Sequence, residues 1–317
     1  MMLRAICFRR GATYVGRRPS DLRKTEMTSG KTQELLLLLA ALIWGSGFIM
    51  TKMALDAGMS AAQLMAFRFS GAALVFGVLF RRQLTGMTRS DWLIGGGTGV
   101  LLFLGFMTQT AGLVFTTPSR NALLTASYVV IVPFFSAVLL RRWPERRVFV
   151  GAVTCFAGVA ILTVSIRELA SIHLKGDLLT LACAVFYAAH LIALESAVRR
   201  VTVPKLIFLQ MLITALCSLL VLPFDSVPVH RVDWGAAVPP VLYLILFSSC
   251  LAYFLQTNGQ KRTSSARAAI LLSPEALFGS VLSVLFGFDP FSWRLLVGGL
   301  IVFGSILLVE WPVKETA

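Results

Sequence analysis

Apolar runs of about twenty residues alternate with short polar breaks along nearly the whole chain. A hydrocarbon layer about 30 Å thick is crossed by roughly 20 apolar helical residues. Ten windows meet that need: 35–55, 61–80, 92–114, 120–140, 148–166, 177–197, 205–224, 236–257, 267–287 and 292–311. Inside them the apolar runs are continuous, as in Leu35–Leu39 and Leu242–Phe247, whereas a membrane-spanning strand would alternate. The pattern therefore predicts an all-α membrane protein with ten transmembrane helices.

The polar landmarks recur. Sliding the chain forward by 147 positions lays Gln109–Leu162 on Gln256–Val309 without a gap. Gln109 then meets Gln256, Thr110 meets Thr257, Gly112 meets Gly259, Arg120 meets Arg267 and Ser136 meets Ser283. The starts of the halves align at an offset of 142, with Ala40–Trp44 on Ala182–Phe186 and Arg68 on Gln210. The change of offset falls in loops, which accept insertions. The expected organisation is a basic tail (1–32), a first five-helix repeat (33–166) and a second (173–311), joined by the polar segment Arg167–Lys175. Five spans is an odd number, so the second half must run upside down relative to the first. Two inverted repeats enclosing a midplane site is a transporter arrangement.

Composition agrees with a bilayer. The 317 residues are 57% hydrophobic and 14% charged, with a mean hydropathy of +0.80, too apolar for a water-facing surface. The net charge of +14 suggests nucleic acid until the charges are placed. They cluster in alternate gaps: the N-terminal tail, Arg81–Arg82, Arg141–Arg147, Arg199–Lys205, Lys261–Arg267 and Lys314. By the positive-inside rule both termini are cytoplasmic, and no nucleic-acid partner is expected. Of five cysteines, four fall within spans and Cys7 in the tail, with no metal-ligand spacing. The Arg-rich first 26 residues lack a signal-peptide core and are expected to precede a true start at Met27. The run Gly95–Gly99 lacks the lysine of a phosphate-binding loop and reads as close helix packing.

The motifs, in order, are those of a known family. Ala41–Phe48 in the first helix, Phe67-Arg68-Phe69 in the second, Gln109–Leu113 to Thr125–Pro133 across the third and fourth, and Ser273–Phe278 in the ninth resemble the drug/metabolite transporter superfamily, EamA type. The resemblance spans about residues 33–311. It implies a multi-pass protein of the cell inner (plasma) membrane that moves a small metabolite, such as an amino acid, and it leaves the substrate open. The family often carries a carboxylate after the fourth and ninth helices. Glu145 fits the first place, and Asp289 is a shorter stand-in at the second.

Ionisable groups within hydrocarbon cost roughly 2.5–3.5 kcal/mol each and so mark function or bracing. Glu275, eight residues into the ninth window, reads either as a proton-coupling or amine-binding carboxylate or as a brace for the turn after Pro274. Arg68 reads as a carboxylate clamp, a snorkelling side chain or a tie between helices. Lys52 and Glu195 fall near helix ends, where an interfacial position suffices. Asn121, Thr125 and Tyr128 form one helical stripe, and Tyr128 is the repeat partner of Glu275. Gln109, Tyr253 and Gln256 add polar groups, while Trp44, Tyr187 and His190 add aromatic walls and one titratable ring. Each alone could serve interhelical hydrogen bonding. Together they read as a substrate-binding set for an amphipathic, zwitterion-like solute.

These features favour a secondary transporter, an exporter that either takes protons as its coupling ion or is driven by the membrane potential, working by alternating access at a midplane cavity. No nucleotide-binding motif, cofactor site or HExxH signature is present. The alternative is a membrane-embedded enzyme acting on lipid or isoprenoid intermediates. It would need clustered acidic residues or histidines at a membrane face, and the loops hold none.

Overall fold

The computed structural model describes residues 19–139, 141, 143, 145–163 and 174–310. The start of the expected tail, Arg142, most of the linker between the halves (with His173) and Lys314 lie outside the described residues. Among those described, every regular element is a helix. In chain order these are α1 (Pro19–Asp56), α2 (Ala61–Leu79), α3 (Arg89–Leu113), α4 (Pro118–Thr125), α5 (Tyr128–Leu139) and α6 (Arg146–Thr163). The second half holds α7 (Leu174–Ala197), α8 (Val203–Val221), α9 (Trp234–Tyr243), α10 (Ala252–Gly259), α11 (Ser265–Leu272), α12 (Pro274–Leu285) and α13 (Trp293–Glu310). A π-helical stretch, Leu244–Leu251, joins α9 to α10 in one rod.

Among the described residues, eight stretches are long and apolar enough to cross a membrane. Four belong to each half: Lys31–Asp56, Ala61–Leu79, Arg89–Leu113 and Pro118–Val138, then Leu174–Ala197, Val203–Phe224, Trp234–Gly259 and Ser265–Leu285. α6 and α13 occupy the fifth and tenth expected places, and α13 holds a shorter apolar stretch, Leu296–Ser305. The outward faces are apolar: Leu74, Val138, Leu220 and Leu285 are each about 70% exposed or more. That surface calls for lipid around it, so the chain is a multi-pass membrane protein. Its interior, in contrast, buries Arg68, Asn121, His190, Gln210, Gln256 and Glu275.

Local signals set the helix starts. Ser60 and Gln63 form a reciprocal capping box on α2, as Thr88 and Asp91 do on α3. Thr117 caps α4 through the Arg120 amide, and Ser264 caps α11 through the Arg267 amide. These two caps are equivalent in the repeat. So are the two breaks that follow. α4 ends at Thr125 and α11 at Leu272, and the next helices begin at Tyr128 and Pro274. At each break the backbone tightens to i→i+3 bonds, Ser127 N–H to Leu124 O (3.2 Å) and Ser273 N–H to Ile270 O (3.2 Å). The fourth and ninth spans are therefore each two short helices, with Tyr128 and Glu275 just past the break.

Packing follows the repeat as well. Equivalent spans lie against each other across the halves: α2 on α8, α6 on α13, and the fourth span on the ninth through α4 on α12 and α5 on α11. Likewise α3 lies on α7 as α10 lies on α1. The last two crossings both use a glycine. A Cβ on Gly112 would stand 2.9 Å from Gly176 O, and one on its counterpart Gly259 would stand 3.0 Å from Gln33 O. Only a residue without a side chain permits such approach, the usual device where lipid offers no hydrophobic drive to association.

Candidate functional site

All ten residues expected to bind substrate line one cavity. α1 supplies Trp44, α2 Arg68, α3 Gln109, α4 Asn121 and α5 Tyr128 from the first half. α7 supplies Tyr187 and His190, α10 Tyr253 and Gln256, and α12 Glu275 from the second. The centre of a water molecule has about 50 Å³ available there. Room for one water takes roughly 10–15 Å³ on that measure. The cavity as it stands therefore has room for only a few waters.

Arg68 is held on three sides. Its Nε donates to Ser249 Oγ (2.8 Å) and a terminal nitrogen donates to Ser248 Oγ (2.8 Å). Its guanidinium lies 4.3 Å from the centroid of the Phe106 ring, a stacking geometry that suits the planar cation. The two serines sit in the π-helical stretch, which follows Pro239 and Pro240. Trp44 Nε1 donates to Ser248 O (2.9 Å) in the same stretch. Loosened helical turns of this kind free backbone and side-chain groups for a site. Sequence reasoning passed over Ser248 and Ser249 because Leu242–Phe247 reads as an unbroken apolar run. The adjacent Ser-Ser pair within a span was the available signal.

A second set of bonds ties α3 to α4 and both of them to α7 in the other half. Gln109 Nε2 donates to Thr125 Oγ1 (3.1 Å), and the Tyr187 hydroxyl donates to Gln109 Oε1 (3.1 Å). Asn121 Nδ2 donates to Gln109 O (3.2 Å) and Thr180 Oγ1 (2.8 Å). The Trp44 and Tyr253 rings meet at 5.0 Å between centroids. Gly105 leaves room for Tyr187, whose ring would come within 2.5 Å of a Cβ there. His190 Nε2 is 2.6 Å from Oε1 of Gln210, the repeat counterpart of Arg68. His190 is thus tied to α8 and has that much less freedom to turn toward a solute.

Tyr128 and Glu275 both line the cavity and are electrostatic neighbours there. Among the described residues no cation pairs with Glu275. Tyr187 and Tyr253 are electrostatic neighbours of both Arg68 and Glu275. The remaining carboxylates serve elsewhere. Glu145 is exposed and pairs with Arg147 at 2.7 Å. Asp289 accepts from Ser283 Oγ (2.5 Å) and from the Ser119 amide (3.3 Å), tying the turn after α12 to the start of α4. Glu195, near the end of α7, is buried among neighbouring helices: one oxygen meets Arg199 (3.2 Å) and the other takes the Ser265 amide (2.8 Å) at the start of α11.

Beyond the cavity stand two ion pairs that correspond in the repeat. Arg120 grips Asp177 with two bonds, of 2.8 and 2.6 Å. Its counterpart Arg267 meets Glu34 at 2.9 Å. Each joins the first turn of a broken span to the starting segment of the other half.

Comparison with known proteins agrees with this architecture. A solved protein chain superposes with a TM-score of 0.72 at 20% identity, covering 88% of this chain and 96% of that one, a likeness that shows the fold. An uncharacterized transporter from Archaeoglobus fulgidus is 32% identical over 255 residues, 79% of this chain and 77% of the relative. The model of the EamA-like transporter family matches twice, over residues 31–164 and 174–311. With both halves matched and the relative named as a transporter, this membrane protein belongs to the EamA-like transporter family, within the drug/metabolite transporter superfamily.

Proposed function

We propose that the protein is a secondary transporter, an exporter of a small amphipathic metabolite such as an amino acid, built from two inverted five-helix repeats that rock about a midplane cavity. One observation carries the reading. Tyr128 and Glu275 exchange places under the repeat, yet both line the one cavity and interact electrostatically there. Two groups related by a two-fold axis become neighbours only beside that axis. Glu275 therefore stands at the pivot, as far from one end of the bundle as from the other. A group placed there meets solvent from whichever side is open.

The contacts between loops support the inverted ten-span arrangement with both termini in the cytoplasm. Ser60 bonds Asp225, the Asp233 amide donates to Ala57 O (2.9 Å), and Ser119 meets Asp289. All six belong to gaps assigned outside by the positive-inside pattern. Lys205 Nζ meets Gly86 O (2.9 Å) and Asp91 (3.1 Å), and Glu195 meets Ser265. Those are assigned to the cytoplasm. On the same assignment Arg120–Asp177 lies at the outer end and Arg267–Glu34 at the inner end. Alternating access needs a contact at each end that can open in turn.

Glu275 couples transport to a proton in this scheme, because it is the one carboxylate facing the cavity among the described residues. The test is transport in proteoliposomes with a metabolite panel, with and without a pH gradient. Wild type should accumulate solute under the gradient. Glu275→Gln should lose accumulation and keep exchange of bound solute. Absence of movement for every solute under every gradient would sink the transporter reading, and unaltered accumulation by Glu275→Gln would remove the coupling role.

A further inference from the structure

The cavity contains hydrogen-bond acceptors that nothing satisfies. Asn121 is fully buried, and its Oδ1 has no partner. The orientation of that amide is fixed by its neighbours. Nδ2 points at Gln109 O, which can only accept, and at Thr180 Oγ1. The Thr180 hydroxyl spends its own hydrogen on Gly176 O (2.7 Å), so it too must accept from Asn121. Turning the amide over would set three acceptors against one another. Oδ1 is thus the atom of this cavity-lining residue left without a donor. Gln256, 2% exposed, lines the same cavity, and its Oε1 also has no partner in the protein. Glu275, between them in the scheme of the two-fold axis, is buried and lines the same cavity, and its carboxylate has lone pairs to fill.

An orphaned buried acceptor costs free energy that a bound donor recovers. The donors a ligand would bring are N–H groups, and the charge that a buried carboxylate lacks is positive. Arg68, the cavity's cation, has its donors turned to Ser248 and Ser249. The aromatic faces of Trp44, Tyr187 and Tyr253 suit a cation as well.

We infer that the cavity recognises a protonated primary amine, held at the Glu275 carboxylate and donating to Asn121 Oδ1 and Gln256 Oε1. This rests on the transporter reading and names the head group that site takes. It also assigns the two amides a division of labour. Asn121 bonds Gln109, and Gln256 is Gln109's counterpart, so the two orphaned oxygens fall on opposite sides of the axis. An ammonium pivoting on Glu275 would find a waiting acceptor toward either end. A carboxylate on the solute is tolerated and is not required.

The test uses the full chain in nanodiscs. Melting shifts and calorimetric titrations are recorded for n-hexylammonium, hexyltrimethylammonium, N-hexylacetamide and hexanoate. The primary ammonium should bind, with the trimethylated analogue about tenfold or more weaker because it leaves the acceptors unmet. The neutral amide and the carboxylate should be weaker still. Gln256→Met, which removes an orphaned acceptor while keeping shape, should weaken hexylammonium binding about fivefold or more. Its melting temperature without ligand should stay the same or rise. If that variant fails to fold, Gln256→Glu should instead tighten the primary ammonium. Equal affinity for the primary and trimethylated ions, preference for hexanoate, or no response to either Gln256 change would overturn the inference; the last would mean that water alone fills these acceptors. Proteoliposome transport of a broad solute panel runs beside it. Movement of an anionic or neutral solute with no amine binding ends the inference and leaves the transporter reading intact.

Discussion

Removing either of the two related ion pairs should open opposite ends of the same cavity. Arg120 and Asp177 have side chains each 16% exposed and meet through two short bonds. The pair lies between an exposed bridge, worth about 0.2–1 kcal/mol, and a buried one, whose disruption costs about 3–5 kcal/mol. Loss of about 1–2 kcal/mol is the reasonable middle, a factor of roughly 5–30 in an equilibrium. Arg267 and Glu34 are 35% and 23% exposed and meet at 2.9 Å. Their loss should cost about 0.5–1 kcal/mol, roughly two- to fivefold. The variants Arg120→Gln and Arg267→Gln would carry a reporter cysteine at Thr51, a cavity-lining position, with the native cysteines replaced. A membrane-impermeant thiol reagent is then applied from each side. Arg120→Gln should raise labelling from outside by about 5–30-fold, and Arg267→Gln from the cytoplasmic side by less. The charge swap Arg120→Asp with Asp177→Arg should restore the wild-type rate. Both variants raising labelling from the same side would refute the reasoning, because the pairs could not then close opposite ends.

Two other perturbations address packing and the buried cation. A methyl group at Gly45 would stand 2.5 Å from Phe278 Cβ and 3.0 Å from Glu275 O. Gly45→Ala should therefore push α12 off α1 and destabilise the fold by about 1–3 kcal/mol, read as a lower melting temperature; an unchanged value would mean the crossing is looser than described. Arg68→Lys keeps the charge but loses the fork that reaches Ser249 and Ser248 together. It should cost about 1–3 kcal/mol of stability, whereas a Lys variant as stable as wild type would show that the paired serine bonds contribute nothing.

The helices and their repeat were legible because a bilayer imposes a blunt rule. A span must be long and apolar, so windows such as 61–80 and 205–224 anticipate α2 and α8 closely. The repeat was legible because polar residues inside spans are few, and Gln109, Arg120 and Gly112 keep their register with Gln256, Arg267 and Gly259. The gathering of the ten cavity residues was legible for the same reason: a polar group in a span has few places to turn except inward. The break at Ala126–Ser127 was not. No proline marks it, and its i→i+3 bonds depend on α12 and α7 packed alongside. The π-helical stretch was hidden likewise, since periodicity cannot show a local change of helical pitch.

The sequence alone, then, determined that this chain lives in lipid as two copies of one helical unit, because hydropathy and register are properties of a line. Pairings were decided only in three dimensions: that Tyr128 and Glu275 come to line one cavity as electrostatic neighbours, that Arg68 rests on Ser248 and Ser249 rather than on a carboxylate, and that Asn121 keeps an acceptor without a donor. Each depends on distances between helices separated by tens to hundreds of residues, and those distances are set by where glycines let the backbones close.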